Sequence, residues 1–199
     1  MSNEIPAVEK MRSRSPLLMN RDDSALLVID VQARLLPSID QHERLVFNIR
    51  RLIEGAKQLG VRVAATEQYP KGLGGTTEEL ANLLPAAIPE KLMFSCRECE
   101  QLIDEFDSSG ISKILLTGIE THVCVAQTAF DLLAAGFDVY VCVDAVGSRN
   151  EIDYLTAIRR MEAAGVTPTT TEAALFEWCE VAGSAEFKAI SKLVQEKQT

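Results

Sequence analysis

Lys113-Ile-Leu-Leu-Thr-Gly-Ile-Glu-Thr-His-Val-Cys-Val-Ala-Gln-Thr-Ala129 is the stretch on which the reading of this 199-residue chain turns. The apolar or β-branched run Ile114–Thr117 enters Gly118, and Cys124 then opens an apolar stretch with helical spacing. The pattern predicts a buried strand, a sharp turn and a helix start. Cys124 then stands beyond the carboxyl end of a strand and at the amino end of the next helix, where parallel-sheet proteins present chemistry. Backbone N–H groups and the helix dipole favour a thiolate there, so the expectation is a thiol pKa below that of free cysteine. A small packing residue on the inner face of a helix fits the same position, as most free cysteines do. Position alone leaves both readings open.

The same grammar extends outward. Ala25-Leu-Leu-Val-Ile-Asp30 is a continuous apolar run ending in an acid, as in a strand covered on both faces. Val61–Thr66, Asp138–Asp144 and Val166–Thr171 read as further strands, the last edge-like because it contains Pro168. Between them, Glu43–Leu59, Cys96–Asp107, Glu151–Ala164, Glu172–Val181 and Ala185–Glu196 carry helical periodicity, with Ser148 a candidate cap for the third and Glu78–Leu84 a short helix. Alternating strands and helices predict an α/β fold: a three-layer α/β/α sandwich with a mainly parallel, doubly wound, Rossmann-like sheet of five or six strands. Residues 1–23 read as a polar N-terminal arm whose Leu17, Leu18 and Met19 suit a subunit interface, and residues 24–199 as a single domain.

Composition narrows the function. A mass of 21.8 kDa, with 47% hydrophobic and 25% charged residues, describes one globular domain with a sizeable core. The net charge of −9 argues against nucleic acid and anionic membrane as partners, because a phosphate surface requires a basic face. The first 23 residues are interrupted repeatedly by charge and proline, unlike a secretory leader, so cytoplasmic placement is expected. Five irregularly spaced cysteines are expected to be reduced thiols.

Three constellations could carry chemistry. In the first, Asp30 and Cys124 come from the carboxyl ends of two strands that meet at a common sheet edge, and Lys91, in Glu90-Lys-Leu-Met-Phe-Ser95, would bring a cation towards the interior. A carboxylate can take a thiol proton and return it to a leaving group, while the ammonium keeps both anions tolerable. The second is Cys96-Arg-Glu-Cys99, a lone CxxC with neither the intervening residues of a thioredoxin motif nor the second pair of a zinc site. The third places His122 two residues from Cys124, but side chains at i and i+2 on a helix diverge, so His122 reads as a pocket wall or structural residue. His42 reads as a solvated residue before a helix. No metal and no cofactor are expected.

With these pieces on the page, the chain resembles the isochorismatase-like cysteine hydrolases. The resemblance is carried by Leu26-Leu-Val-Ile-Asp-Val-Gln32, Lys91-Leu-Met-Phe-Ser95, Thr117-Gly-Ile-Glu-Thr-His-Val-Cys124 and Asp138–Asp144, spanning about Ser24 to Trp178. The loop Thr66–Gly75 is most similar to the branch called isochorismatase domain-containing proteins. The resemblance implies an Asp–Lys–Cys triad on Asp30, Lys91 and Cys124. It also implies a non-proline cis peptide at Ile119–Glu120, with the amides of Glu120 and Cys124 aimed at a developing oxyanion. Gln32, Leu36, Glu67, Tyr69, Phe94, His122 and Val123 are candidate pocket residues. Nicotinamidases of the family carry an aspartate and two histidines for zinc after the second strand, where this chain has Glu67, Gln68 and Tyr69.

The expectation is therefore a cysteine-dependent hydrolase of a small-molecule C–N bond, acting through an acyl-enzyme on Cys124 with Asp30 as acid and base. Vinyl-ether or ester hydrolysis with Asp30 as acid is the alternative, and a non-catalytic scaffold retaining the fold is the alternative of another class. A homo-oligomer, dimer or larger, is expected.

Overall fold

In the computed structural model, which describes residues 13–198, six parallel strands form one sheet: β1 (Ser24–Ile29), β2 (Arg62–Gln68), β3 (Glu90–Lys91), β4 (Lys113–Ile119), β5 (Asp138–Gly147) and β6 (Thr167–Thr169). Their spatial order is β3-β2-β1-β4-β5-β6. The longer helices are α1 (His42–Leu59), α4 (Glu100–Ser108), α5 (Ala126–Ala134), α6 (Glu151–Ala163), α7 (Thr171–Cys179) and α8 (Ala185–Val194); α2 (Pro70–Leu73) and α3 (Glu78–Ala81) are single turns.

The alternation of side chains along β1 explains the three layers. Leu26 and Val28 pack with α1, α7 and α8 through Ile49, Leu52, Trp178 and Ile190. Leu27 and Ile29 face the other way, against α4, α5 and α6 through Phe106, Ala129, Leu132 and Met161. A strand buried on both sides has no polar face, which is why β1 and β4 read as unbroken apolar runs.

From β1 the chain winds outward to β2 and β3, returns to β4 on the other side, and winds outward again to β6. The winding reverses between β1 and β4, the topological switch point at which doubly wound sheets open a crevice. Gly118 permits the close approach there: its φ is 118°, and a Cβ on it would lie 2.0 Å from the Ile29 carbonyl oxygen.

Several local expectations are corrected. β2 continues to Gln68, so Glu67 and Gln68 belong to a strand, not to the following loop. The single helix expected over Cys96–Asp107 is a 3₁₀ turn (Cys96–Glu98) followed by α4, with Cys99 at the break. β5 runs on to Gly147 because its register against β4 shifts between Leu116 and Gly118. Asn150, not Ser148, occupies the cap position of α6; the Ser148 hydroxyl instead meets His122.

Residues 1–12 of the expected arm lie outside the described residues. The remainder docks on its own subunit: Arg14 donates to the Glu177 carbonyl (2.7 Å), and the Met19 amide to Glu177 Oε2 (2.9 Å). Met19 is fully buried in this chain's core, which corrects its assignment to a subunit interface, whereas Leu17 is 77% exposed.

Candidate active site

Asp30 leaves β1 in the left-handed region (φ 55°), turning its carboxylate into the crevice. Oδ1 accepts from Thr66 Oγ1 at 2.9 Å and Oδ2 from Lys91 Nζ at 2.6 Å. Lys91 reaches this point from the edge strand β3, where it pairs with Gln68. Its ammonium also donates to Gln68 Oε1 (2.8 Å) and the Phe94 carbonyl (2.9 Å), with the Met93 carbonyl at 3.4 Å. An ammonium has three protons, so every one is already engaged. Burial is the largest single influence and opposes the ammonium charge, but the Asp30 carboxylate, its hydrogen bond and the nearby Cys96 and Cys124 sulfurs together outweigh it, and the lysine pKa lies above its ordinary value.

Gln68 is itself clamped. Its backbone N–H donates to Gln32 Oε1 (2.7 Å), while Gln32 Nε2 donates to the carbonyls of Gln68 (3.0 Å) and Gly74 (2.6 Å). Gln32, fully buried, therefore ties β2 to the loop that follows it.

Cys124 lies in a π-helical turn, Thr121–Val125, that precedes α5; the Val125 amide reaches back five residues to the Glu120 carbonyl at 3.2 Å. Such a wide turn replaces the first turn of the expected helix and is a recurrent feature of functional sites. Asp30 (0% exposed), Lys91 (2%) and Cys124 (5%) all lie inside the crevice. The expected low thiol pKa is corrected. Burial first, then the charge and hydrogen bonding of Asp30, push the Cys124 pKa above its ordinary value, and Lys91 only partly opposes them. At neutral pH the sulfur is therefore held as a thiol.

The peptide Ile119–Glu120 is cis. The Glu120 side chain is buried on the far side of the turn, with Oε1 2.6 Å from Arg149 Nε and Oε2 3.4 Å from His122 Nδ1. His122 Nδ1 also lies 3.0 Å from Ser148 Oγ, so the ring braces the turn. Val123 is half-buried against the core on the α4–α6 face.

The other candidate pocket residues separate into two groups. Glu67 Oε1 accepts from the Thr76 amide (2.6 Å) and hydroxyl (2.7 Å), holding the loop closed, and Leu36 is packed in the core. Tyr69 and Phe94 are half-exposed at the rim, where the loop after Lys91 also exposes Leu92 and Met93. The Tyr69 ring lies over Gly72, where a Cβ would stand 2.4 Å from it.

Thr66, Gln68 and Cys96 join the site without having been singled out for it. Thr66 and Gln68 are two apart on β2 and share a face with the crevice, a period that a correct strand end would have exposed. With Gln68 on Lys91 and Glu67 on Thr76, the last residues of β2 do not form a zinc set. Among the described residues no three His, Cys, Asp or Glu side chains converge on a point that could hold an ion.

A separate cavity of about 490 Å³ opens between α1 and α6, lined in part by Arg44, Asp144, Ser148, Glu151 and Tyr154. Asp144 is a structural group: its Oδ1 accepts from the Thr171 amide (2.8 Å), the Thr171 hydroxyl (3.0 Å) and Cys142 Sγ (3.1 Å), tying β5 to the first residue of α7, whose N-cap is Thr170.

Residues 24–173 match the sequence profile of the family described as "Isochorismatase domain". A curated relative, Isochorismatase domain-containing protein 1 of Danio rerio, is 34% identical over 86% of this chain and 61% of its own length, so the chain spans about three fifths of that protein. The solved structure of MAR1 ribonuclease from Caenorhabditis elegans superposes with a TM-score of 0.82 and 37% identity, covering 90% of this chain and 93% of that one. The YcaC gene product of Escherichia coli, described as an octameric hydrolase of unknown specificity, superposes with a TM-score of 0.82 and 26% identity, covering 91% and 92%.

Proposed function

The chain belongs to the isochorismatase family, and on that premise we propose that it is a cysteine-dependent hydrolase of a small-molecule C–N bond, amide- or ureide-like. The carrying observation is the buried Asp30–Lys91 pair at the switch point, with the buried Cys124 beside it. Asp30 takes the Cys124 proton as sulfur attacks the acyl carbon. The amides of Glu120 and Cys124 receive the oxyanion. Collapse expels the amine with the proton from Asp30, leaving a thioester. Asp30 then deprotonates a water that attacks the thioester, and the proton returns to sulfur. Lys91 stays charged throughout and keeps Asp30 ionised between steps.

Ammonia or amine release from an amide and ureide panel, measured for the native chain and Cys124→Ala, tests the reading: turnover abolished in the variant supports it. Turnover of vinyl ethers or esters that survives Cys124→Ala supports the alternative with Asp30 as acid, and no turnover of any kind supports the scaffold reading. The relative called a ribonuclease makes an RNA oligonucleotide a necessary member of the panel. With 29 acidic against 20 basic residues the chain lacks the charge balance of an RNA binder, and RNA cleavage is not expected.

The described part of the arm and the domain from Ser24 are proposed to act as one unit. A homo-oligomer is proposed from the octameric relative and from the exposed Leu17, Leu92 and Phe94; light scattering coupled to size exclusion tests it, a monomer mass counting against it. Cytoplasmic placement is proposed from five cysteines that are all unpaired. No helix among the described residues is long and apolar enough to cross a membrane.

A further inference from the structure

Cys96 has no part in the hydrolysis above, yet it is fully buried and its sulfur lies 3.5 Å from Thr66 Oγ1, which lies 2.9 Å from Asp30 Oδ1. Chemistry fixes the direction of both bonds. An ionised carboxylate only accepts, so Thr66 gives its one hydroxyl proton to Asp30; the lone pairs left on Thr66 then accept from the thiol. Burial first, then the charge of Asp30, push the Cys96 pKa up to about 12, which keeps that S–H in place. The Cys96 amide donates to Thr128 Oγ1 at 3.0 Å, and Thr128 stands one turn beyond Cys124 at the head of α5. The segment bearing Cys96 is thus pinned to the element that presents the nucleophile.

Resting on the nucleophile reading above, we infer that Cys96 and Thr66 are positioning residues: a two-link chain, Cys96 Sγ–H to Thr66 Oγ1–H to Asp30 Oδ1, that holds Asp30 ionised and oriented towards Cys124. Hydrogen bonds in series polarise one another, so the thiol strengthens the bond that Thr66 makes. Lys91 from β3, Cys96 from the 3₁₀ turn and Cys124 from the π turn are the titratable groups around Asp30, and Cys99 lies within the field of the same ion pair. Only the first cysteine of Cys96-Arg-Glu-Cys99 belongs to the chain, and its use is donation of a hydrogen bond, not redox exchange.

A donor to the charged form favours that form. Without it the carboxylate loses a partner that holds it towards Cys124, and transfer of the Cys124 proton is impaired first at the acid end of the reactivity profile. Alkylation of Cys124 by iodoacetamide reads this out without any substrate: the S–C bond forms, iodide leaves, and the thiol proton passes to Asp30. Rates are taken by peptide mass mapping of the full chain from about pH 4 to 9. Thr66→Val is expected to move the acid limb of the profile up by about one pH unit, and Thr66→Ser to restore it. Cys96→Ala is expected to shift it the same way by less, with Cys96→Ser restoring it. Because Cys96 acts only through Thr66, the double variant Thr66→Val/Cys96→Ala should shift no further than Thr66→Val alone.

An unmoved acid limb in a folded Thr66→Val protein, or an additive double variant, overturns the inference. If Thr66→Val does not fold by circular dichroism, Cys96→Ala against Cys96→Ser decides: a shift in the first only supports the chain, and identical profiles overturn it. Native Cys124 reacting no faster than Cys142 or Cys179 would defeat the nucleophile reading itself, a result distinct from fast native alkylation with an unmoved limb.

Discussion

Lys91 Nζ stands 2.6 Å from Asp30 Oδ2, and neither side chain has any exposed surface. Removing one partner of such a buried pair leaves an uncompensated charge in the interior and typically costs about 3–5 kcal/mol. Lys91→Met is therefore expected to lower the urea midpoint sharply. Adding Asp30→Asn removes the stranded charge and should recover part of the loss. Chemical denaturation followed by circular dichroism checks both, and a double variant no more stable than Lys91→Met would contradict the account.

Gly118 and Ile29 set how closely β4 approaches β1. A Cβ at residue 118 would lie 2.0 Å from the Ile29 oxygen and 2.7 Å from its nitrogen, both backbone atoms that cannot swing aside. Gly118→Ala must separate the strands at the switch point, and soluble expression or a preserved melting transition in that variant would count against this packing.

Asp144 joins the bulged part of β5 to the start of α7 through the amide and hydroxyl of Thr171. Leaving a buried donor such as the Thr171 amide without its partner costs about 1–3 kcal/mol. Asp144→Ala is expected to fall in that range in a denaturation series while leaving Cys124 alkylation at the native rate, since the residue touches none of the triad.

Alkaline pH should weaken the fold. The thiols of Cys96, Cys99, Cys124 and Cys142 all have pKa values raised by burial, Cys96 to about 12. An unfolded chain releases thiol protons near about pH 8.5, whereas the folded chain retains them. Above that pH the folded state binds more protons than the unfolded one, so stability falls as pH rises. The contribution is complete below about pH 8.5 and for Cys96 is lost on the way to about 12. Urea midpoints measured at neutral pH and at successive alkaline steps should decline, and a flat profile would refute this origin of alkaline lability.

The sequence by itself determined the layer architecture. Ala25–Asp30 and Ile114–Thr117 are short apolar runs without a polar face, as strands covered on both sides are; Leu45, Val46, Ile49, Leu52 and Ile53 repeat at helical spacing because α1 buries one stripe. Strand ends made Asp30 and Cys124 candidates, and the resemblance to the family added Lys91 to them. Tertiary structure decided what those residues are. The ionisation of Cys124 depends on burial and on the nearby Asp30 carboxylate, neither of which is a local property, so the helix-dipole expectation had the wrong sign. Cys96 meets Thr66 and Asp30 because the 3₁₀ turn, β2 and β1 converge from positions far apart in the chain, where no periodicity connects them, whereas Thr66 and Gln68 share a strand face that a correct end for β2 exposes. Met19, apolar in a polar arm, reads like an interface residue in one dimension and is a core residue in three, because the surface it covers, α7, lies more than a hundred residues further along the chain.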